Sequence, residues 1–119
     1  MIARADAICR RLNAELAASK PASQGVHEIA RVAPRRAALE QAAVSELSKL
    51  MPPAKIAREW QRVVAYRRTL AQELVKAAQF ARANDIAAIR SLATSKARGH
   101  KELNAIAIRA GFTDCARIG

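Results

Sequence analysis

The hydrophobic pattern of the chain is clearest between Met51 and Asp85, where apolar residues recur at alternating steps of three and four. This spacing is typical of one face of an amphipathic helix. Two prolines open the stretch, and proline is tolerated in a first helical turn because the N–H that it lacks has no intrahelical partner there. A rod of about thirty residues is roughly 45 Å long and needs several neighbours to cover its apolar stripe, which favours a helical bundle. The stripe consists of Ile56, Trp60, Val63, Leu70, Leu74, Ala77 and Ala81.

Three further stretches show the same helical spacing. Pro34 lies inside the second of them, where it removes one backbone hydrogen bond and collides with the carbonyl of Ala30. We therefore predict that this helix is kinked or broken between 32 and 35. The predicted helices cover about 2–19, 25–50, 53–83 and 85–110, and a tail covers 111–119.

Turn-forming residues separate the predicted helices. Asn84 tolerates a left-handed helix exit, and Asp85 can cap the helix that follows. Ser23 is a candidate cap for the second helix, and Gly111 is expected to end the fourth in the left-handed conformation, with Phe112 folding back onto its last turn. Short connections make neighbouring helices antiparallel, so we predict an all-α, up-down-up-down four-helix bundle in a single domain, 1–119.

Composition agrees with a small helical domain and adds a strong positive charge. Half of the residues are apolar, but only 3% are aromatic, so the core is thin. The chain has 21 Lys and Arg against 10 Asp and Glu, a formal net charge of +11, and 15 of the 21 are arginine. This charge implies attraction to polyanions such as nucleic acid, anionic lipid or acidic polymers, without choosing among them. No nucleophile, base and orienting group stand at a recognisable spacing, so we predict no enzyme.

The beginning of the chain gives mixed indications about its compartment. No stretch approaches the eighteen apolar residues of a membrane span, and no charged-then-apolar leader precedes the first helix. Yet Met1 to Ala3 enter a helical stripe at once, without a capping residue before them. Either this helix frays from residue 1 or the natural chain begins further upstream.

Cys9 and Cys115 are the only cysteines, and the predicted topology brings their regions to the same end of the bundle. A disulfide between them would close a loop of about one hundred residues. Alternatively, Cys9 is a small buried apolar residue and Cys115 an incidental thiol of the tail. Catalytic or metal-binding use is disfavoured because no C-x-x-C motif and no activating histidine is recognisable.

Four short motifs resemble a group of small bacterial extracytoplasmic proteins that often look like lipoproteins. The motifs are 5–9 (ADAIC), 50–53 (LMPP) followed by Trp60, 83–85 (AND), and Gly111-Phe112 leading to Cys115. They are spread over almost the whole chain. The resemblance implies an exported helical domain in which Cys9 and Cys115 are paired, with a leader that this sequence lacks; it implies no specific activity.

Metal binding and haem binding are more specific functions that a helical bundle can support. Di-iron bundles need a Glu three residues before a His on two helices, and neither His27 nor His100 has one. Haem ligation by His100 with Met1 or Met51 lacks an attachment motif and an aromatic wall. We therefore predict no cofactor and no metal, and interpret the acids on the four helices as surface residues. These acids are Glu15, Glu46, Glu73 and Glu102.

The basic residues suggest a binding surface where the second and third helices meet. Such a surface would suit the phosphate backbone of a nucleic acid. However, the charges are spread over all four helices, and the sequence shows no helix-turn-helix or other base-recognition motif and no aromatic residues for stacking on bases. Arg67 falls on the apolar seam, where it either extends past its neighbours or pairs with an acid across the bundle. The candidate polyanion-binding residues are Arg35, Arg36, Lys55, Arg58, Arg62, Arg67 and Arg68.

From the sequence we predict a non-enzymatic, exported or envelope-associated helical domain with a structural or binding role. Its partner is unknown, with an anionic polymer or a membrane surface as candidates. Trp60 is expected in the core, and His100 is expected to be partly buried with one hydrogen-bond partner. The alternative is a cytosolic basic bundle that binds nucleic acid without sequence specificity.

Overall fold

The computed structural model describes all residues from Met1 to Gly119, in an elongated body of 45 × 22 × 19 Å. It contains no strand, and consecutive helices pack against one another, α2 and α3 most extensively. The predicted all-α four-helix bundle is confirmed. Its helices are α1 (Ile2–Ala18), α2 (Val26–Leu47), α3 (Ala57–Arg82) and α4 (Ile86–Arg109).

The start of α3 lies later than the sequence predicted. Pro53 has an extended backbone, with ψ at 146°, and a 3₁₀ turn over Ala54–Ile56 precedes the helix. Met51 and Pro52 each precede a proline and are biased away from the helical conformation, and the α-helix begins only after the 3₁₀ turn that follows the two prolines. The predicted cap Ser23 is also wrong: Gly25 is the residue that precedes α2, and the hydroxyl of Ser23 accepts the N–H of Gly25.

Pro34 does not divide the second helix. The helix continues through Pro34 from Val26 to Leu47, which excludes the predicted break. Pro34 itself is exposed, so solvent can reach the turn in which the carbonyl of Ala30 loses its usual partner.

The predicted helix ends after α3 and α4 are confirmed in detail. Asn84 is left-handed, with φ at 55°, and the carboxylate of Asp85 accepts the N–H of Ala88 at 3.1 Å. Gly111 has φ at 98°, and the N–H of the next residue, Phe112, returns to the carbonyl of Ala107 at 3.0 Å. These local bonds satisfy backbone groups that a helix end leaves unpaired.

The core is unevenly distributed along the bundle. A cluster of 17 buried residues lies at the end that holds both cysteines, and there Trp60 stacks on Phe112 with ring centroids 5.2 Å apart. The predicted core position of Trp60 is confirmed. Toward the opposite end a second cluster has only four buried residues, Ala33, Ala37, Leu74 and Ala78. The small side chains of three of these four limit how much apolar area that end can bury.

The tail fills the space between α1 and α4, which make no extended contact with one another. A disulfide joins Cys9 of α1 to Cys115, confirming that the two are paired. The carboxylate of Asp6 accepts the N–H groups of Thr113 and Cys115 at 3.0 to 3.2 Å. On the other side, the amide of Asn104 in α4 both donates to and accepts from the backbone of residue 118, each at 2.8 Å. The tail is therefore fixed to α1 by the disulfide and hydrogen bonds, and to α4 by hydrogen bonds.

None of the four helices combines the length and the hydrophobicity that a membrane span requires.

Candidate functional site

A buried ion pair lies in the interior, in the space between the two apolar clusters. The side chain of Arg67 on α3 is 1% exposed, and that of Glu40 on α2 is 3% exposed. Arg67 Nη1 donates to Glu40 Oε1 at 3.0 Å. Of the two alternatives considered for Arg67, pairing with an acid across the bundle is thus confirmed.

This pair is incompletely satisfied within the protein. Arg67 Nε and Glu40 Oε2 are both buried without a hydrogen-bond partner in the protein. Burial raises the pKa of Glu40, and the opposing effect of Arg67 does not cancel that shift. Desolvation of two charges usually offsets most of the attraction between them. Stability alone therefore gives little reason for an ion pair at this position.

Polar bonds continue from Arg67 to the first helix and the tail. Arg67 Nη2 lies 3.5 Å from Asn13 Oδ1, and Asn13 Nδ2 donates to the carbonyl of Asp114 at 3.1 Å. The carboxylate of Asp114 in turn accepts from Arg10 Nη2 at 3.0 Å. The network therefore joins α1, α2, α3 and the tail through two ion pairs and the neutral amide of Asn13.

A cleft of about 330 Å³ opens over this network, between α1, α3, α4 and the tail. It exists because the tail, rather than a direct contact of α1 with α4, closes this side of the bundle. We call it the basic cleft. Its charged side chains are positive apart from Asp114, and its six basic residues are Arg10, Lys20, Arg36, Arg67, Lys96 and Arg117.

The pKa shifts of the lining residues reflect partial burial among like charges. Burial lowers the pKa of Lys96, and the nearby charge of Arg36 lowers it further. Burial likewise lowers the pKa of His100, helped by the charges of Lys96 and Arg67. His100 is therefore neutral at pH 7, and the positive charge of the basic cleft comes from its lysine and arginine side chains.

Tyr66 fixes the orientation of His100 at one side of the basic cleft. The hydroxyl of Tyr66 lies 2.7 Å from Nδ1 of His100 and 3.2 Å from the carbonyl of Lys96. Burial is the main cause that raises the pKa of Tyr66 to about 12, so the hydroxyl stays protonated and can donate. The predicted partial burial of His100 with one partner side chain is confirmed.

Gly99 lies so close to the side chain of Tyr66 that any larger residue there would require the tyrosine ring to move. A Cβ there would lie 2.5 Å from the hydroxyl oxygen of Tyr66 and 2.6 Å from its ring. Gly to Ala normally stabilises a helix interior by about 0.5–1 kcal/mol. We expect Gly99→Ala instead to destabilise the protein by roughly 1–3 kcal/mol in urea unfolding, since Tyr66 must move and give up its bonds.

The matched control for this prediction is Gly99→Ala made on a Tyr66→Ala background. Without the ring, the added methyl meets no obstacle, and the same substitution should become neutral or stabilising. Equal destabilisation in both backgrounds would show that Tyr66 is not the cause.

The structure does not bring the seven candidate polyanion-binding residues onto one surface. Arg67 is buried, and Arg36 is half-buried in the basic cleft, where Nη1 donates to the carbonyl of Leu16 at 2.6 Å. Arg35 and Arg68 are exposed side chains of α2 and α3. Binding of a polyanion by this set stays a prediction. The other three line a shallow depression beside α4 and are Lys55, Arg58 and Arg62, the last paired with Glu102 at 2.9 Å.

Several residues of the site were missed from the sequence. Glu40 carried a usable signal, because it falls within the apolar stripe of α2, three residues after Ala37 and four before Val44. The sequence places Lys96, like His100, at a seam or flanking position of the fourth helix, but it does not show that these residues line a cleft. Arg10 and Arg117 carried no signal, because their place in the cleft depends on how the tail packs.

Comparison with known proteins adds no further assignment: no family model, curated protein or solved structure matches the chain. No group of three or more His, Cys, Asp and Glu side chains is placed to hold a metal ion. The polar side chains that line the basic cleft are its cations, the carboxylate of Asp114, the amide of Asn13 and the imidazole of His100.

Proposed function

We propose that this protein is a non-enzymatic, extracytoplasmic binding domain whose bundle is stabilised by the disulfide. The observation that carries the proposal is the bond between Cys9 and Cys115, both fully buried. Structural disulfides form and persist in oxidising compartments and are rare in the cytosol. The binding role is supported by the basic cleft, which gathers cations where an apolar core would have been more stabilising.

The compartment is tested by fractionating the source organism after its thiols have been blocked with an alkylating agent. We expect the protein in the extracytoplasmic fraction, with no alkyl group added before reduction and two added after reduction and a second alkylation. The readout is the intact mass, and a cytosolic protein with known free thiols serves as the control.

Recovery in the cytosolic fraction with both cysteines alkylated before reduction would contradict the proposal. Because this measurement concerns only location and thiol state, its outcome is independent of any ligand.

A further inference from the structure

The basic cleft holds more positive charge than the protein itself neutralises. Arg10 pairs with Asp114, and Arg67 pairs with Glu40. The remaining four basic residues of the lining form no salt bridge within the chain, and Asp114 is the one acidic side chain in the lining. These four are Lys20, Arg36, Lys96 and Arg117.

Two of the four unpaired cations are partly buried, unlike the solvated side chains of an ordinary basic surface. Lys96 and Arg36 are only partly exposed, and burial lowers the pKa of both. The carboxylates of Glu40 and Glu73 act in the opposite direction on these pKa values but do not cancel the effect of burial, so an additional anion at this position would be favourable. Arg67 lies deeper still, and its buried Nε has no partner in the protein.

The rest of the lining limits the size and polarity of a ligand. A volume of about 330 Å³ lies at the lower end of the range for small-molecule sites, so the cleft can enclose a small molecule or a single small group. The apolar part of the wall can contact a short carbon skeleton. Its larger side chains are Leu16, Leu70, Leu74 and Ile118.

From these observations, we propose that the basic cleft binds a small organic anion with at least two phosphate or carboxylate groups on a short aliphatic skeleton. The inference rests on the proposed binding role and names its ligand class. Arginine and lysine supply the charge, and the planar donors of Arg36 and Arg117 suit oxyanions of either kind. The ion pair of Arg67 and Glu40 supports the floor of the site.

The test is calorimetric titration of the purified, oxidised protein with propane-1,3-bisphosphonate, a phosphate analogue on a three-carbon skeleton, and, separately, with citrate, at fixed ionic strength. The two probes distinguish a phosphate ligand from a carboxylate ligand. We expect saturable binding of at least one probe, weakened at least tenfold by Lys96→Met, which removes the charge and keeps the length of the side chain. Arg98→Gln is the matched control, because Arg98 is exposed on the same helix and lies outside the cleft.

Folding of the variant is checked by circular dichroism, and Lys96→Met should melt no lower than the parent because it removes a desolvated charge. A second variant, Arg117→Gln, should weaken the same probe without altering stability. Two results would overturn the inference: no saturable binding of either probe at millimolar concentration, or equal weakening by Lys96→Met and Arg98→Gln, which would mean that net charge alone attracts the anion. Neither result would bear on the compartment, which the thiol measurement decides separately.

Discussion

Removal of the disulfide should cause the largest loss of stability available to a change in this protein. The bond joins residues separated by 106 positions, so it restricts almost the whole unfolded chain. In the chain-entropy model a loop of this length contributes about 4–5 kcal/mol. We expect the double variant Cys9→Ala/Cys115→Ala to lose this amount in urea unfolding, and to melt roughly 15–20 °C lower, given about 2.1 cal/mol/K of unfolding entropy per residue.

Reduction of the parent protein is the matched control, because it opens the same loop without deleting any atom of the core. Reduced parent and double variant should agree to within about 1 kcal/mol, the remainder reflecting the two sulfur atoms lost from buried positions. If removal of the bond costs less than about 1 kcal/mol, the hydrogen bonds of Asp6 and Asn104 would be sufficient to hold the tail.

The second large effect is expected at the buried ion pair. Arg67→Met should destabilise the protein by about 3–5 kcal/mol near neutral pH, because it leaves the carboxylate of Glu40 buried without its cation. The double variant Arg67→Met/Glu40→Met should recover most of this loss, since it replaces both charges with unbranched apolar side chains. Arg68→Met, at the exposed neighbouring position, should change the free energy of unfolding by less than about 0.5 kcal/mol.

The cost of Arg67→Met should also depend on pH. Burial already raises the pKa of Glu40, and loss of the Arg67 charge removes the main effect that lowers it. In the Arg67→Met variant, folding therefore favours the protonated form of Glu40. The contribution of this group to stability is fully present below its unfolded pKa of about 4.3 and is lost as the pH rises through the higher folded pKa. The loss should be smaller near about pH 5 than near about pH 8. A loss that is the same at both pH values would mean that the defect is a packing cavity and not an unpaired carboxylate.

Local signals in the sequence were sufficient for the fold. The spacing of apolar residues identifies each helix. The turns between helices are marked by residues that favour a left-handed backbone or cap a helix. Asn84-Asp85 is the clearest case, because one residue supplies the left-handed exit and the next supplies the cap. Helix boundaries were less accurate at Pro52-Pro53. Met51 and Pro52 precede prolines and are biased away from the helical conformation, and Pro53 is itself extended, so both prolines lie before the helix rather than in its first turn.

The basic cleft could not be predicted in the same way, because it is a product of packing and not of any single helix. Periodicity shows which face of a helix is apolar, but not that α1 and α4 lie far enough apart for the tail to enter between them. Arg10 and Arg117 are more than one hundred positions apart and meet only through that arrangement. The buried ion pair could be predicted in part. The sequence places Arg67 on the apolar seam of the third helix, but its partner Glu40 was not identified.

The unequal division of the core gives the two ends of the bundle different resistance to local opening. The end with the disulfide holds most of the large buried side chains, whereas the opposite end relies on alanines and Leu74, and α1 stops at Ala18. Segments with few buried apolar contacts open at lower free energy than the global transition. Amide hydrogens near the connection of α3 to α4 should therefore exchange with solvent sooner than those around Trp60. The basic cleft spans the boundary between a rigid half and a more compliant one, so an anion bound there would restrain the compliant half.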